Sequence, residues 1–228
     1  MAIEDRRVRR TKRLLRDALV SLVLERGYSA VTVEDVTERA DVGRATFYTH
    51  YTDKDELLGQ IVADLGEDLK ERLRPLVSDS SVGFTGKPVL EMFRHAAEER
   101  DAYRVVLRGE GDGRALRRFI DERTALAAQI FSARSESNGV TPRIDMEVLS
   151  RAWVGEQVAV LQWWLESDPP PLTPEAVTEM LLELSLRGRY WHPASTAHPR
   201  RTSAPPESRV LRRCLVRTAG TADRSTTR

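Results

Sequence analysis

Apolar positions recur along most of this chain with helical spacing. Leu15, Leu19, Leu22 and Val23 stand at i, i+4, i+7 and i+8, one stripe of a helix over roughly residues 8–26. Gly27 marks its stop, since glycine ends helices in a left-handed conformation at no steric cost. Thr32 precedes Val33-Glu34-Asp35, an N-cap with an acid at the third helical position. A second helix therefore starts there and runs to about Ala40. Asp41-Val42-Gly43 forms a tight turn, and a third short helix covers about residues 44–50. Two short helices joined by a glycine-containing turn make the helix-turn-helix pattern.

A fourth helix starts at Asp53, with Glu56 at its third position and Leu57, Leu58, Ile61, Leu65, Leu69 and Leu73 behind it. Pro75 ends it or closely follows its end. Residues 78–87 read as a loop, and helical patterns return at about 88–108, 112–136 and 144–167. Asn138-Gly139 and Pro142 break the pattern between the last two. Thr173 and Pro174 then cap a final helix over about 174–190. No strand-like alternation stands out, so the fold class is all-α. The organisation is a three-helix helix-turn-helix head over residues 1–52, a helical effector-binding and dimerisation domain over 53–192, and a basic tail over 193–228. The tail is rich in Ser, Thr, Pro and Arg and is expected to be disordered and passive.

The 228 residues are 40% apolar and 31% charged, ordinary for a soluble protein with a real core. No stretch approaches eighteen apolar residues, so no transmembrane helix is expected. The start MAIEDRRVRRTKR lacks an apolar secretory segment. A single cysteine, Cys214, excludes a disulfide framework and a cysteine zinc site. The expected location is cytoplasmic, beside the bacterial nucleoid.

The net charge of +1 is unevenly spread. Residues 1–60 are balanced, residues 61–192 carry −5, and residues 193–228 carry +6. Seven basic side chains crowd residues 6–16, among them Arg9, Arg10 and Lys12. Such an arm on a balanced domain points to a polyanion partner, or else to a solvated helix face.

The stretch RATFYTHYTDKDEL, from Arg44 to Leu57, carries the most distinctive chemistry. On a helix, Phe47 and Tyr51 share a face with Val42 and anchor it to the first two helices. Arg44, Ala45, Thr46, Tyr48 and Thr49 then point outward. Arg forks onto guanine, Thr bonds bases or touches a thymine methyl, and Tyr bonds phosphate, so this face suits a DNA major groove. The bland alternative is a half-buried surface tyrosine. Lys54 falls at the first position of the fourth helix, where a cation opposes the macrodipole at a cost of about 0.3–1 kcal/mol. A lysine beside free helix N–H groups makes a phosphate clamp, unless the misplacement is merely tolerated.

The stretch TVEDVTERADVGRATFYTHYTDKDELL resembles the DNA-binding domain of the tetracycline-repressor (TetR) family. In that family a recognition helix ends in Tyr-x-x-Phe and precedes a Lys-acid-acid-Leu helix start; Tyr48, Tyr51, Lys54, Asp55, Glu56 and Leu57 fill those places. Tyr51 replaces the usual phenylalanine, and Gly43 stands where a capping Ser or Thr is usual. The match covers about residues 10–60. The resemblance implies a ligand-responsive regulator, most simply a repressor, binding a near-palindromic double-stranded DNA operator as a homodimer and released by a small molecule. It assigns base reading to Arg44, Thr46 and Thr49, with Ala45 on the same face. Phosphate contact falls to Tyr48, His50, Lys54, Arg9, Arg10 and Lys12, and Thr32 completes the DNA-facing set. The family's last two long helices form a four-helix dimer interface. Here that implies Val154, Val158, Leu161, Leu165, Val177, Met180, Leu181 and Leu184, unless some are intramolecular core. An apolar effector pocket would draw on Met92, Phe93, Tyr103, Trp153 and Trp163, although Trp153 and Trp163 face different ways on one helix.

Other chemistries are poorly supported. His50, Asp53 and Glu56 are spaced by three, but a helix break falls between the first two, so no metal site is expected. His95, among Glu98 and Glu99, reads as a core or solvated histidine. No phosphate-binding glycine loop, nucleophile elbow or H-E-x-x-H motif occurs. No cofactor and no enzymatic activity are expected. The alternative reading is a helical small-molecule-binding protein or enzyme with a vestigial head.

Overall fold

The computed structural model describes residues 6–77, 86–110 and 112–187. The expectations for the tail 193–228 and for Cys214 lie outside these residues. Among the described residues every regular element is helical: α1 (Arg6–Arg26), a 3-10 turn (Tyr28–Ala30), α2 (Val33–Ala40), α3 (Arg44–His50), α4 (Lys54–Val77), α5 (Lys87–Glu98), α6 (Arg100–Leu107), α7 (Arg114–Ser137), α8 (Met146–Glu166) and α9 (Pro174–Arg187). None is long and apolar enough to cross a membrane.

The apolar stripe of α1 is the core of the head. Leu15, Leu19, Leu22 and Val23 are all buried against α2 and the flanking elements. Truncating one such leucine to alanine costs about 2–5 kcal/mol. The termini follow the expected local chemistry. Gly27 has φ 80° where α1 stops. Thr32 and Asp35 form a reciprocal capping box on α2. Asp41, at φ 53°, takes the left-handed conformation that turns the chain into α3, one that Asp tolerates better than most residues. Asp53 accepts the Glu56 backbone N–H at 2.8 Å, and Thr173 accepts that of Ala176 at 3.2 Å.

Two expected boundaries move. The single helix over 88–108 is two, α5 and α6, broken at Glu99 with ψ 33°. Apolar periodicity alone does not see this break, because both pieces keep a buried face. Pro75 lies inside the last turn of α4 rather than ending it.

One apolar cluster runs without a gap from Leu15 in α1 to Leu181 in α9. The boundary at residues 52/53 thus divides a continuous core. Within it Val154, Val158, Leu161, Leu165, Val177 and Leu181, expected at an interface, are buried inside the protomer. Met180 and Leu184 remain on the surface. The period of α8 and α9 was legible, but both helices carry apolar residues on opposite faces, and periodicity does not say which face the core takes. The outer face of α8 presents Val148, Ala152, Gly155, Ala159 and Trp163, all exposed. Leu182 of α9 packs on Gly86, where a Cβ would fall 2.3 Å from its Cδ1; only glycine, at φ 70°, fits there.

Candidate DNA-binding face and ligand cavity

Helix α3, the expected recognition helix, is seven residues long and depends on a single plug. Phe47 is fully buried, with Tyr51 beside it at 5.8 Å between ring centroids. That contact fixes the roll of the helix. Arg44, Ala45, Thr46, Tyr48 and Thr49 are accordingly exposed on its outer side, as expected. Tyr48 is 52% exposed yet packs edge-on to Phe47, and its hydroxyl favours the charged form of Arg44 one turn away. The Thr49 hydroxyl donates to Ala45 O at 2.9 Å, leaving its methyl and lone pairs outward. His50 is half-buried at the end of the helix. Gly43 caps α3 without a side-chain bond.

The basic arm reaches the same region. Arg9, Lys12, Arg13 and Arg16 line a cleft with Tyr51 and with Leu57 and Gln60 of α4. Arg10 is exposed on α1, outside that cleft. Thr32 is exposed at the start of α2, but its hydroxyl is engaged with Asp35.

Lys54 has an internal job that its sequence position does not reveal. Its ammonium donates to Tyr28 O at 2.9 Å and Val31 O at 2.7 Å, and lies 4.3 Å from the Tyr28 ring centroid. Two of its three donors are spent on the turn that precedes α2. Sequence reasoning missed Tyr28 altogether. Its carbonyl accepts from Lys54, its hydroxyl donates to Asp55, and its backbone N–H donates to Glu110 Oε2 at 3.1 Å. Burial, then the Asp55 carboxylate, pushes the phenol well above its usual value. Glu110 lies 82 residues away in a glycine-flanked loop, so no local signal points to it.

Helix α6 joins this head to the rest of the molecule. Glu99, just before it, pairs with Arg16 of α1. Glu110, beyond its end, holds Tyr28. On its other side Arg100 donates to Leu165 O at 2.9 Å and Ser167 O at 2.5 Å, and Arg108 forks onto Glu166 at 2.8 and 2.9 Å. Both ends of α6 are therefore tied to the head and to the C-terminal end of α8.

The middle of α8 helps to wall a cavity of about 90 Å³. Met92, Leu126, Ile130, Phe131, Trp153 and Val158 supply much of its apolar lining, and Arg123, Arg134 and Gln157 its polar groups. Of the residues expected at a pocket, Met92 and Trp153 line this cavity. Phe93, Tyr103 and Trp163 do not line it. Phe93 packs edge-on against buried Trp164, Tyr103 bonds His95, and Trp163 is 52% exposed. Aromatic content marks core and pocket alike, so sequence could not sort them.

His95 is fully buried between α4 and α6. Its Nε2 lies 2.9 Å from Asp68 Oδ2 and its Nδ1 2.9 Å from the Tyr103 hydroxyl. A neutral ring with Nε2–H donating to Asp68, and Nδ1 accepting from Tyr103, satisfies all three groups. Burial, with Arg72 nearby, lowers the His95 pKa, and the Asp68 carboxylate only partly offsets this. No group of three or more metal-ligating side chains occurs among the described residues.

Residues 15–61 match the model of the bacterial regulatory proteins of the tetR family. The HTH-type transcriptional repressor DhaR of Mycobacterium sp. (strain GP1) is 37% identical over 59 residues, 26% of this chain and 30% of that protein. The HTH-type transcriptional regulator YxbF of Bacillus subtilis (strain 168) is 41% identical over 59 residues, 25% of this chain and 16% of that protein. The chain thus spans a third or less of these curated relatives, and the shared part is the head. The fold likeness is longer. The regulator FadR from Bacillus subtilis, solved in complex with stearoyl-CoA, superposes with TM-score 0.64 at 17% identity over 78% of this chain and 99% of that one. A TetR regulator from Streptococcus agalactiae 2603V has TM-score 0.56 at 25% identity over 79% and 96%.

Proposed function

The chain belongs to the TetR family by its head, and from that premise we propose that it is a dimeric, ligand-responsive transcriptional regulator, acting as a repressor. The observation that carries this is the exposed face of α3. Arg44, Ala45, Thr46, Tyr48 and Thr49 face solvent while Phe47, fully buried, holds the helix in place. Arg44, Thr46 and Thr49 read base edges, and Ala45 allows close approach to a thymine methyl. Tyr48, His50, Arg9, Arg10 and Lys12 hold phosphates, with the third donor of Lys54 and the N-terminus of α2 at Thr32. Two such heads meet successive major grooves of a near-palindromic operator.

Dimerisation uses the outer faces of α8 and α9. Val148, Ala152, Gly155, Ala159 and Trp163 form one exposed stripe, and Met180 and Leu184 form the other. Small residues between large ones let two helices approach closely. A ligand in the cavity displaces α8, and the ties of Arg100 and Arg108 carry the shift through α6 to Arg16 and Tyr28. Release requires that the ligand prefer the conformation whose heads misfit the operator.

The test is a mobility shift with DNA flanking the chain's own gene at two salt concentrations. Specific, salt-dependent retention is expected, with Arg44→Ala relaxing base preference. Ligand binding without any salt-dependent retention would leave the head vestigial and overturn the reading.

A further inference from the structure

Arg123 is a half-buried cation that forms no ion pair among the described residues, Glu122 acting on it only at longer range. Its guanidinium lines the cavity, and its hydrogen bond to Gly66 O is long, at 3.4 Å. It stacks loosely on Phe119 at 5.9 Å. No Asp or Glu lies within ion-pairing distance of it among the described residues. Burial accordingly disfavours its charged form. Charges taken out of water are normally paired, and an arginine presents five donors in a planar fork shaped for a carboxylate. The same helix face continues through Leu126, Ala127, Ile130 and Phe131, all lining the cavity, to Arg134 eleven residues on. At the helical rise that is about 16 Å of largely apolar wall beginning at the Arg123 fork.

From this we infer that the cavity takes a compact organic carboxylate, its acid group on the Arg123 fork and its ring or short chain against Ile130, Phe131 and Trp153. The inference rests on the proposed effector role of the cavity. Its size sets the body of the ligand. At about 90 Å³ it is smaller than the roughly 150 Å³ space that admits benzene in an apolar core, so the walls must give to admit even a single ring or short chain, and a bulkier body is disfavoured. Arginine rather than lysine favours the planar, bidentate acid. Gln157 donates to Trp153 O at 3.1 Å, which leaves its side-chain oxygen as an acceptor for a second polar group.

Isothermal titration of the full chain, without DNA, with benzoate, hexanoate, benzamide, hexanamide and stearoyl-CoA tests this. Benzoate and hexanoate should bind at least about tenfold tighter than their amides, the factor expected of one charge-assisted pair. Arg123→Gln should erase that difference, the acids falling to the level of the amides, and Arg134→Gln should leave most of it. Circular dichroism checks that both variants fold. Equal binding of acids and amides, tighter binding of stearoyl-CoA than of benzoate, or no binding of any probe overturns the inference. Because DNA retention is measured separately and without ligand, that outcome leaves the regulator reading intact, and loss of DNA retention alone leaves this one intact.

Discussion

The carboxylate of Glu110 accepts the backbone N–H of Tyr28 at 3.1 Å, so a loop beyond α6 holds the turn that leads into the helix-turn-helix. A hydrogen bond to a charged acceptor is worth about 1.5–3 kcal/mol. Glu110→Ala should therefore lower the melting temperature by a few degrees, at about 2–4 °C per kcal/mol for a chain of this size. It should also shrink the loss of DNA affinity caused by a bound ligand. An unchanged ligand effect in calorimetry and anisotropy titrations would show that the signal takes another route.

Phe47 and Tyr48 are neighbours with opposite jobs. Phe47→Ala removes the only fully buried side chain of α3 and should cost about 3–5 kcal/mol in urea unfolding. Tyr48→Ala should stay within about 0.5 kcal/mol of the parent and lose DNA affinity instead. If Tyr48→Ala binds DNA as well as the parent, the outward face of α3 does not read DNA as proposed.

The double use of Lys54 separates it from an ordinary phosphate contact. Lys54→Met leaves Tyr28 O and Val31 O without their donor. We expect a stability loss of about 1–3 kcal/mol together with a salt slope for DNA binding reduced by about one phosphate. A changed slope at unchanged stability would mean that the two carbonyls find another donor at no cost.

His95 gives stability a pH dependence. Its folded pKa lies below the unfolded value of about 6.5, chiefly through burial. Its contribution is therefore present above pH of about 6.5 and lost as pH falls through the folded pKa, because the unfolded chain then binds the proton more readily. Asp68, Arg72, Glu99 and Tyr103 surround it. Calorimetry between neutral and mildly acidic pH should show a decline that His95→Gln flattens. A decline of equal size in the variant would assign it to other groups.

The association state follows from the stripe on α8. Trp163→Glu places a charge in the proposed contact and should convert a dimer to a monomer in light scattering, with no loss of helicity. The interior neighbour Trp164, which donates to Leu172 O at 2.7 Å, should tolerate no such change.

How much of this was legible depended on whether the cause lay near in sequence. Thr32 and Asp35, Gly27, Phe47 and the outward set from Arg44 to Thr49 are governed by residues within a turn or two, and all were read from spacing. Glu110 on Tyr28, Arg16 on Glu99 and Arg100 on Leu165 join residues 65 to 83 apart, and nothing local announces them. The cavity was half legible for a different reason. Met92 and Trp153 reach it, but Phe93 and Tyr103 are equally apolar residues turned into the core. Arg123, its most informative member, looks in the sequence like one more surface arginine of α7.

The contact between Leu182 and Gly86 carries one more consequence. Gly86 belongs to the rim of the cavity, and Leu182 sits on α9 opposite the exposed Met180 and Leu184. A ligand that shifts the rim pushes on the inner face of a helix whose outer face would meet the second protomer. Occupancy and association are then linked equilibria. Apparent ligand affinity should drift with protein concentration, and a cell that makes more of this protein would also retune how much effector it takes to switch it.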